Sequence, residues 1–130
     1  MRRPRNGQAL AEFALVIPIV LLMFMGIFDL GRMIFAYNDI SNAAREGARK
    51  AIVNQDPTAI RNEALAATTG LAPSDVTVTP TNCTAPVKIG CMISVKVDYL
   101  WKPLTPIIGN VVGPISLSAT TAMPVEHVSP

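Results

Sequence analysis

One carboxylate, that of Glu12, lies near the start of an almost wholly apolar segment that runs from residue 7 to residue 28. An ionised carboxylate among apolar groups is costly unless it has a partner or takes up a proton. Within a membrane-spanning segment, such a residue indicates a functional site. Glu12 is therefore a candidate site, and the alternative is an interfacial carboxylate that reaches toward the lipid headgroups.

The other polar residues offer little to conventional catalysis. The single histidine, His127, lies three residues from the end of the sequence, and no nucleophile–base set stands out. The sequence has no glycine-rich phosphate loop and no metal-ligand spacing. We therefore expect no enzymatic activity, no cofactor, no metal ion and no small-molecule substrate.

The apolar segment is long enough to span a membrane. Residues 13–28 carry no charge and would form a helix of about 24 Å, which residues 9–11 extend toward the ~30 Å of a hydrocarbon core. The basic residues before it, Arg2, Arg3 and Arg5, predict a cytoplasmic N-terminus and an exported remainder. Without these three arginines, the chain has 8 basic and 9 acidic residues, so it lacks the basic patch of a nucleic-acid-binding domain. A cleaved secretory signal is the alternative, although no Ala-x-Ala site follows the segment.

The helical pattern continues beyond the apolar segment. From residue 30 to residue 53, apolar side chains recur at intervals of three and four, which predicts an amphipathic helix. Since no strong breaker intervenes, we predict one long helix from about residue 9 to residue 53. Asp29 and Arg32 are expected to pair, at i and i+3, where this helix leaves the lipid. Four small residues are expected to let another element pack closely on the helix: Ala43, Ala44, Gly47 and Ala48.

The rest of the chain predicts a second helix and a sheet. Asp56 suits an N-cap, Pro57 suits the first helical position, and Gly70 suits the end. Alternation with period two then predicts three half-buried strands, around residues 76–79, 93–99 and 115–120. The predicted fold class is α+β, with a long N-terminal membrane-spanning helix packed on a short second helix and a three- to four-stranded antiparallel sheet.

Two segments outside these elements are predicted to be irregular. The prolines and glycines of residues 102–114 indicate a loop, yet Leu104 to Val112 is strongly apolar for one. Such a loop caps a core, contacts a partner or dips toward lipid. The C-terminal tail, residues 124–130, is expected to be loosely ordered.

The two cysteines lie in the part of the chain that is predicted to be outside the cytoplasm. In an oxidising compartment, Cys83 and Cys91 are expected to form one disulfide, which would tie the turn before the second strand. The alternative is a pair of free, buried thiols.

The order of residues around Glu12 resembles the processing site of type IV pilin-like proteins. There, a membrane peptidase cleaves after a glycine, and the glutamate becomes the fifth residue of the mature chain. This resemblance implies cleavage between Gly7 and Gln8, after a short basic leader. It also implies that Glu12 and Phe13 set subunit register, with Glu12 meeting the α-amine of a neighbouring subunit. Mature pilins often begin with an N-methylated aromatic residue or Met, whereas residue 8 is Gln.

The sequence from residue 7 to residue 53 is similar to the TadE-like family of tight-adherence (Flp-type) pilus proteins. The most specific pieces are Glu12-Phe13, FDLGR at residues 28–32 and NAAREGAR at residues 42–49. The resemblance implies a minor pilin-like or pseudopilin-like structural subunit, or an assembly factor, of an adhesive pilus or secretion apparatus. Its expected partners are membrane lipid, a prepilin-type peptidase and other subunits of the apparatus.

The expected organisation follows from the span and from the resemblance. A basic leader would occupy residues 1–7, a transmembrane helix residues 8–29, and an extracytoplasmic α+β domain residues 30–130. The protein would be a single-pass protein of the cytoplasmic membrane, or would enter an extracellular pilus. The alternative function is a membrane-tethered binding module that never enters a filament and uses Leu104 to Val112 as its recognition surface. A hydrolase ranks third.

Overall fold

The computed structural model describes residues 6–81, 83 and 86–128. The basic residues of the predicted leader, Arg2, Arg3 and Arg5, lie outside the described residues. The elements follow in the order α1 (Asn6–Val53), α2 (Pro57–Ala66), a short 3-10 turn (Pro73–Asp75), β1 (Val76–Thr81), β2 (Met92–Trp101), α3 (Pro106–Val112) and β3 (Ile115–Pro124). The predicted α+β class is confirmed.

Helix α1 is continuous over 48 residues and, at 1.5 Å per residue, about 72 Å long. The predicted single long helix is therefore confirmed. Pro18 lies inside it, in the apolar half, where a membrane helix tolerates proline better than a soluble one does. The second half carries the stripe of small and apolar residues that packs against the rest of the chain.

Helix α2 begins where its sequence signals predict. The carboxylate of Asp56 accepts hydrogen bonds from the backbone N–H groups of Thr58 and Ala59, both at 3.2 Å, and Pro57 occupies the first turn. The helix ends at Ala66, before the glycine that was expected to end it. Gly70 instead takes a positive φ of 83° in the connection to the sheet, a conformation that glycine adopts at little cost.

The three strands form an antiparallel meander in the order β1-β2-β3. Val97 of the central strand lies opposite Val78 of β1 and Ala119 of β3. Because side chains alternate across a strand, this register places these three buried residues on one face. The predicted strands and their alternation are confirmed.

Helices α1 and α2 cover the apolar face of the sheet, which gives a two-layer head with one hydrophobic core. Its largest fully buried side chains come from both layers and from the C-terminal segment: Ile40, Ile60, Ile93, Val95, Val97 and Val125. The core thus lies beside the second half of α1 only.

Two expectations about irregular segments were wrong. Residues 106–112 form helix α3, because Pro106 supplies its first position and Gly113, with φ 72°, follows its end. The proline and glycine that suggested a loop are the boundaries of a helix.

The tail is also ordered through residue 127. Val125 is buried, and its backbone exchanges hydrogen bonds with Gly90 and Cys91. The carbonyl oxygen of Ile52 accepts hydrogen bonds from the N–H groups of Glu126 and His127. The bonds of Val125 extend the β2–β3 pairing, and those to Ile52 join the tail to the end of α1. Both are long-range contacts that local composition does not reveal.

Candidate functional site

The N-terminal half of α1 forms a helix surface with almost no contact to the head. Of the described residues, α1 alone is long and apolar enough to cross a membrane, and its most apolar stretch is only 6% buried. A core helix of a soluble protein would bury at least one stripe of its surface. This exposed surface is therefore suited to lipid or to other apolar helices.

Glu12 is exposed on this surface, close to the predicted cleavage site. The side-chain amide of Gln8 donates a hydrogen bond to Glu12 Oε1 at 3.2 Å. Because residues 8 and 12 are four apart, they lie on the same side of the helix. Phe13 is 63% exposed beside them, and a Cβ placed on Gly7 would meet no described atom within 4 Å. The predicted processing and assembly residues thus lie on a part of the helix that no described residue of the head covers.

Asp29 marks the point where α1 meets the head. Its carboxylate is buried and accepts hydrogen bonds from the backbone N–H groups of Leu104, at 3.0 Å, and Thr105, at 3.2 Å. Arg32 Nη1 lies 3.8 Å from Asp29 Oδ1, and its side chain is 43% exposed. The two backbone hydrogen bonds are shorter and better shielded from water than the ion pair with Arg32. They therefore contribute more than the ion pair to holding the Asp29 carboxylate in place.

Sequence reasoning identified the spacing of Asp29 and Arg32 but missed the partners 75 residues away. Thr105 followed by Pro106 is a usable helix-start signal. It could have suggested that the N–H groups there need an acceptor. Nothing in the local sequence indicates that Asp29 provides it.

A second carboxylate, also missed, joins α1 to the connection after α2. Asp39 is buried and accepts hydrogen bonds from the backbone N–H and the hydroxyl of Thr69, both at 2.9 Å. The helical spacing of residues 30–53 gives no sign of this partner, which lies 30 residues away. Together, Asp29 and Asp39 fix two loops of the head to α1.

An open groove of about 620 Å³ lies between α1 and the head at the same level. Its α1 side is lined by Phe24, Phe28, Arg32 and Phe35, and its head side includes Trp101. Trp101 is buried, and its Nε1 has no hydrogen-bond partner within the part of the chain that the structure describes. The groove is mainly apolar and aromatic, with one cationic side chain at its wall.

The small residues of the second half of α1 lie at the closest approach between the layers. Ala43, Ala44 and Ala48 are fully buried. A Cβ placed on Gly47 would lie 3.0 Å from Ala64 Cβ and 3.1 Å from Val95 Cγ1. These residues therefore set the distance between α1 and its neighbours within the head.

The expected disulfide between Cys83 and Cys91 is present, with Cα atoms 6.3 Å apart. It closes the connection between β1 and β2. This connection lies at the end of β2 away from Trp101 and the groove.

Comparison with known families matches residues 7–49 to the family described as TadE-like protein. The matched stretch covers about a third of the chain and confirms the resemblance seen in the sequence. It includes both the exposed half of α1 and most of the half that packs in the head. No curated protein and no solved structure matches the chain significantly.

Proposed function

We propose that the protein is a pilin-like structural subunit or assembly factor of a tight-adherence pilus apparatus. Residues 7–49 match the TadE-like family, which belongs to such systems. The observation that carries the proposal is the two-part character of α1. One uninterrupted helix exposes an apolar surface in its first half and forms the spine of the head in its second. The family match spans both parts.

The proposed organisation is a leader at residues 1–7, a membrane-spanning segment at 8–29 and an external head at 30–130. The three arginines before the span favour a cytoplasmic N-terminus. The disulfide in the head supports the same orientation, since disulfides persist in oxidising compartments. The protein would thus be a single-pass protein of the inner membrane before any entry into a pilus.

We infer that Gly7 and Gln8 form the site at which a prepilin-type peptidase processes the chain. No described atom lies within 4 Å of a Cβ placed on Gly7, so no described part of the head covers this site, which supports the assignment. Cleavage would give Gln8 a new α-amino group, one helical turn from Glu12. Lipid, the peptidase and other subunits of the apparatus are the proposed partners.

In the proposed assembly, Glu12 sets the register between subunits. Within the described residues, its hydrogen-bond partner is the neutral amide of Gln8, which supplies no compensating positive charge. Among packed apolar helices, an opposite charge from a neighbouring subunit would offset the cost of removing that carboxylate from water. The proposed cation is the α-amine of a neighbouring subunit.

Cleavage between Gly7 and Gln8 predicts a definite mass for the mature protein. Protein isolated from membranes of its native cell should lack the first seven residues, and intact-mass measurement should place its N-terminus at Gln8. Co-purification from the same membranes should recover other subunits of the pilus apparatus. A chain that still starts at Met1 or Arg2 and is extracted without such partners would favour the membrane-tethered binding module instead.

A further inference from the structure

Helix α3 lies beside the outer end of the proposed membrane span. The two N–H groups just before it bind Asp29, and Ile108 Cδ1 would lie 3.8 Å from a Cβ placed on Gly26. Gly26 precedes Asp29 by three residues, so it lies about 4.5 Å farther toward the cytoplasmic end of α1. From the level of Asp29, α3 therefore runs along α1 toward its cytoplasmic end and lies beside the last turns of the span.

Much of the surface of α3 is apolar and is not covered by the described residues. Ile107, Val111 and Val112 are 58%, 82% and 55% exposed, and Leu104, just before the helix, is 69% exposed. The chain carries no charged residue from Pro103 to Val125. An exposed apolar surface of this kind is typical of a site that binds a membrane or another protein.

The exposed surface of α3 is continuous with that of the span. Met25 and Phe28, exposed residues of α1, line a small cleft together with Leu104 and Pro106. Any phase that surrounds α1 at this depth must therefore also meet α3. In the proposed anchoring, the last turns of the span lie at the outer headgroup–acyl boundary, so this continuity favours lipid as the occupant.

The backbone N–H groups at the start of α3 have the hydrogen-bond acceptor that a position near hydrocarbon requires. Unsatisfied N–H groups are costly near hydrocarbon because water is scarce there. Asp29 accepts from the N–H groups of Leu104 and Thr105 and so satisfies both. Thr105 is itself buried.

We propose that α3 is a second membrane contact, which inserts Ile107, Val111 and Val112 into the outer leaflet next to the protein's own span. Asp29 pins α3 at this depth. The inference rests on the proposed single-pass anchoring and deepens it, since two attachment points restrict the tilt of the head on the membrane. Helices that lie in this boundary region bury their apolar side chains there.

Depth measurement on the full-length protein tests the proposal. Nitroxide labels would be placed on Val111→Cys, Phe24→Cys and Ile89→Cys, with the native disulfide retained, in vesicles of phosphatidylethanolamine and phosphatidylglycerol. Phe24 reports the span, and Ile89, 73% exposed, is the matched apolar control in the connection between β1 and β2. The measured quantity is the accessibility of each label to oxygen relative to a water-soluble nickel chelate.

The expected result is that oxygen accessibility exceeds nickel accessibility at Phe24 and, to a smaller extent, at Val111, with the reverse at Ile89. A water-like value at Val111 with a lipid-like value at Phe24 would overturn the inference and leave the anchoring intact. A water-like value at Phe24 would instead overturn the membrane span of the proposed function. Shielding of Val111 from both reagents that grows with the protein-to-lipid ratio would identify a second copy as the occupant, against the proposal.

Discussion

Between residues 7 and 28, α1 exposes nearly every side chain, whereas between residues 36 and 51 it buries a stripe that includes Ala36, Ile40 and Ala48. The backbone conformation is the same in both regions. The difference lies in side-chain size and distribution. Large apolar residues surround the first region on all sides, while small ones in the second region let a sheet and a helix approach. One helix thus serves two environments.

The largest expected effect comes from truncating the buried stripe. Ile40 is 0% exposed, and Ile34, six residues earlier in the same helix, is 59% exposed. Ile40→Ala should lower the free energy of unfolding of the head by about 3 kcal/mol, through lost burial and a residual cavity. Ile34→Ala should change it by less than about 0.5 kcal/mol. Urea titration in detergent, followed by fluorescence of the single tryptophan, Trp101, measures both.

Equal losses for the two isoleucine variants would contradict the contrast between an exposed and a buried part of α1. A loss of stability in Ile40→Ala alone would support this contrast. The tryptophan signal reports the head because Trp101 is buried at the end of β2.

A smaller effect is expected from filling the close approach at Gly47. Gly47→Leu should destabilise the head by about 2 kcal/mol, because even a Cβ there crowds Ala64 and Val95. Gly31→Leu is the matched control in the same helix, since a Cβ on Gly31 meets no described atom within 4 Å. It should be neutral or stabilising, as leucine favours a helix over glycine by up to about 1 kcal/mol.

The same titration decides the comparison between the two glycines. If Gly47→Leu were as stable as Gly31→Leu, the layers of the head would be less closely packed at Gly47 than the structure indicates. The difference between the variants, rather than either value, isolates the steric term.

The junction between the two regions depends on Asp29. Asp29→Ala leaves the N–H groups of Leu104 and Thr105 without their acceptor, which should cost about 1–2 kcal/mol if they stay shielded from water. Amide hydrogen exchange at these two residues should accelerate. Arg32→Ala removes only a long, half-exposed ion pair and should leave their exchange nearly unchanged.

Comparable acceleration in Asp29→Ala and Arg32→Ala would mean that the ion pair, and not the backbone hydrogen bonds, holds the junction. No acceleration in Asp29→Ala would mean that α3 is held to α1 without Asp29.

The sequence predicted the elements whose signals are local. Apolar spacing indicated α1, Asp56 and Pro57 located the start of α2, and alternation located the strands. The relation between distant segments could not be predicted. Three contacts join residues that are far apart in the chain: Asp29 with Leu104, Asp39 with Thr69, and Val125 with Cys91. A local sequence pattern does not indicate which distant residue will be the partner.

The residues of the candidate site also fall into two groups: those that the sequence indicates and those that only the fold brings together. Glu12 stands out as a single carboxylate in an apolar segment, and the resemblance to pilin-like processing sites implied the Gly7–Gln8 site. The groove beside Arg32 arises from Phe24, Phe35 and Trp101, which are ordinary apolar residues in the sequence. Only the fold brings them together.

Assembly of Glu12 variants tests the central claim, that the first half of α1 acts between subunits and the second half holds the head. Glu12→Gln keeps the size of the side chain and removes its charge, and Glu12→Ala removes both. Each variant should insert into the membrane and leave the unfolding of the head unchanged, because Glu12 is exposed and far from the core. Co-purification with other subunits of the pilus apparatus should be lost in both. Recovery of those subunits at the wild-type level with both variants would contradict the account and leave Glu12 an interfacial carboxylate.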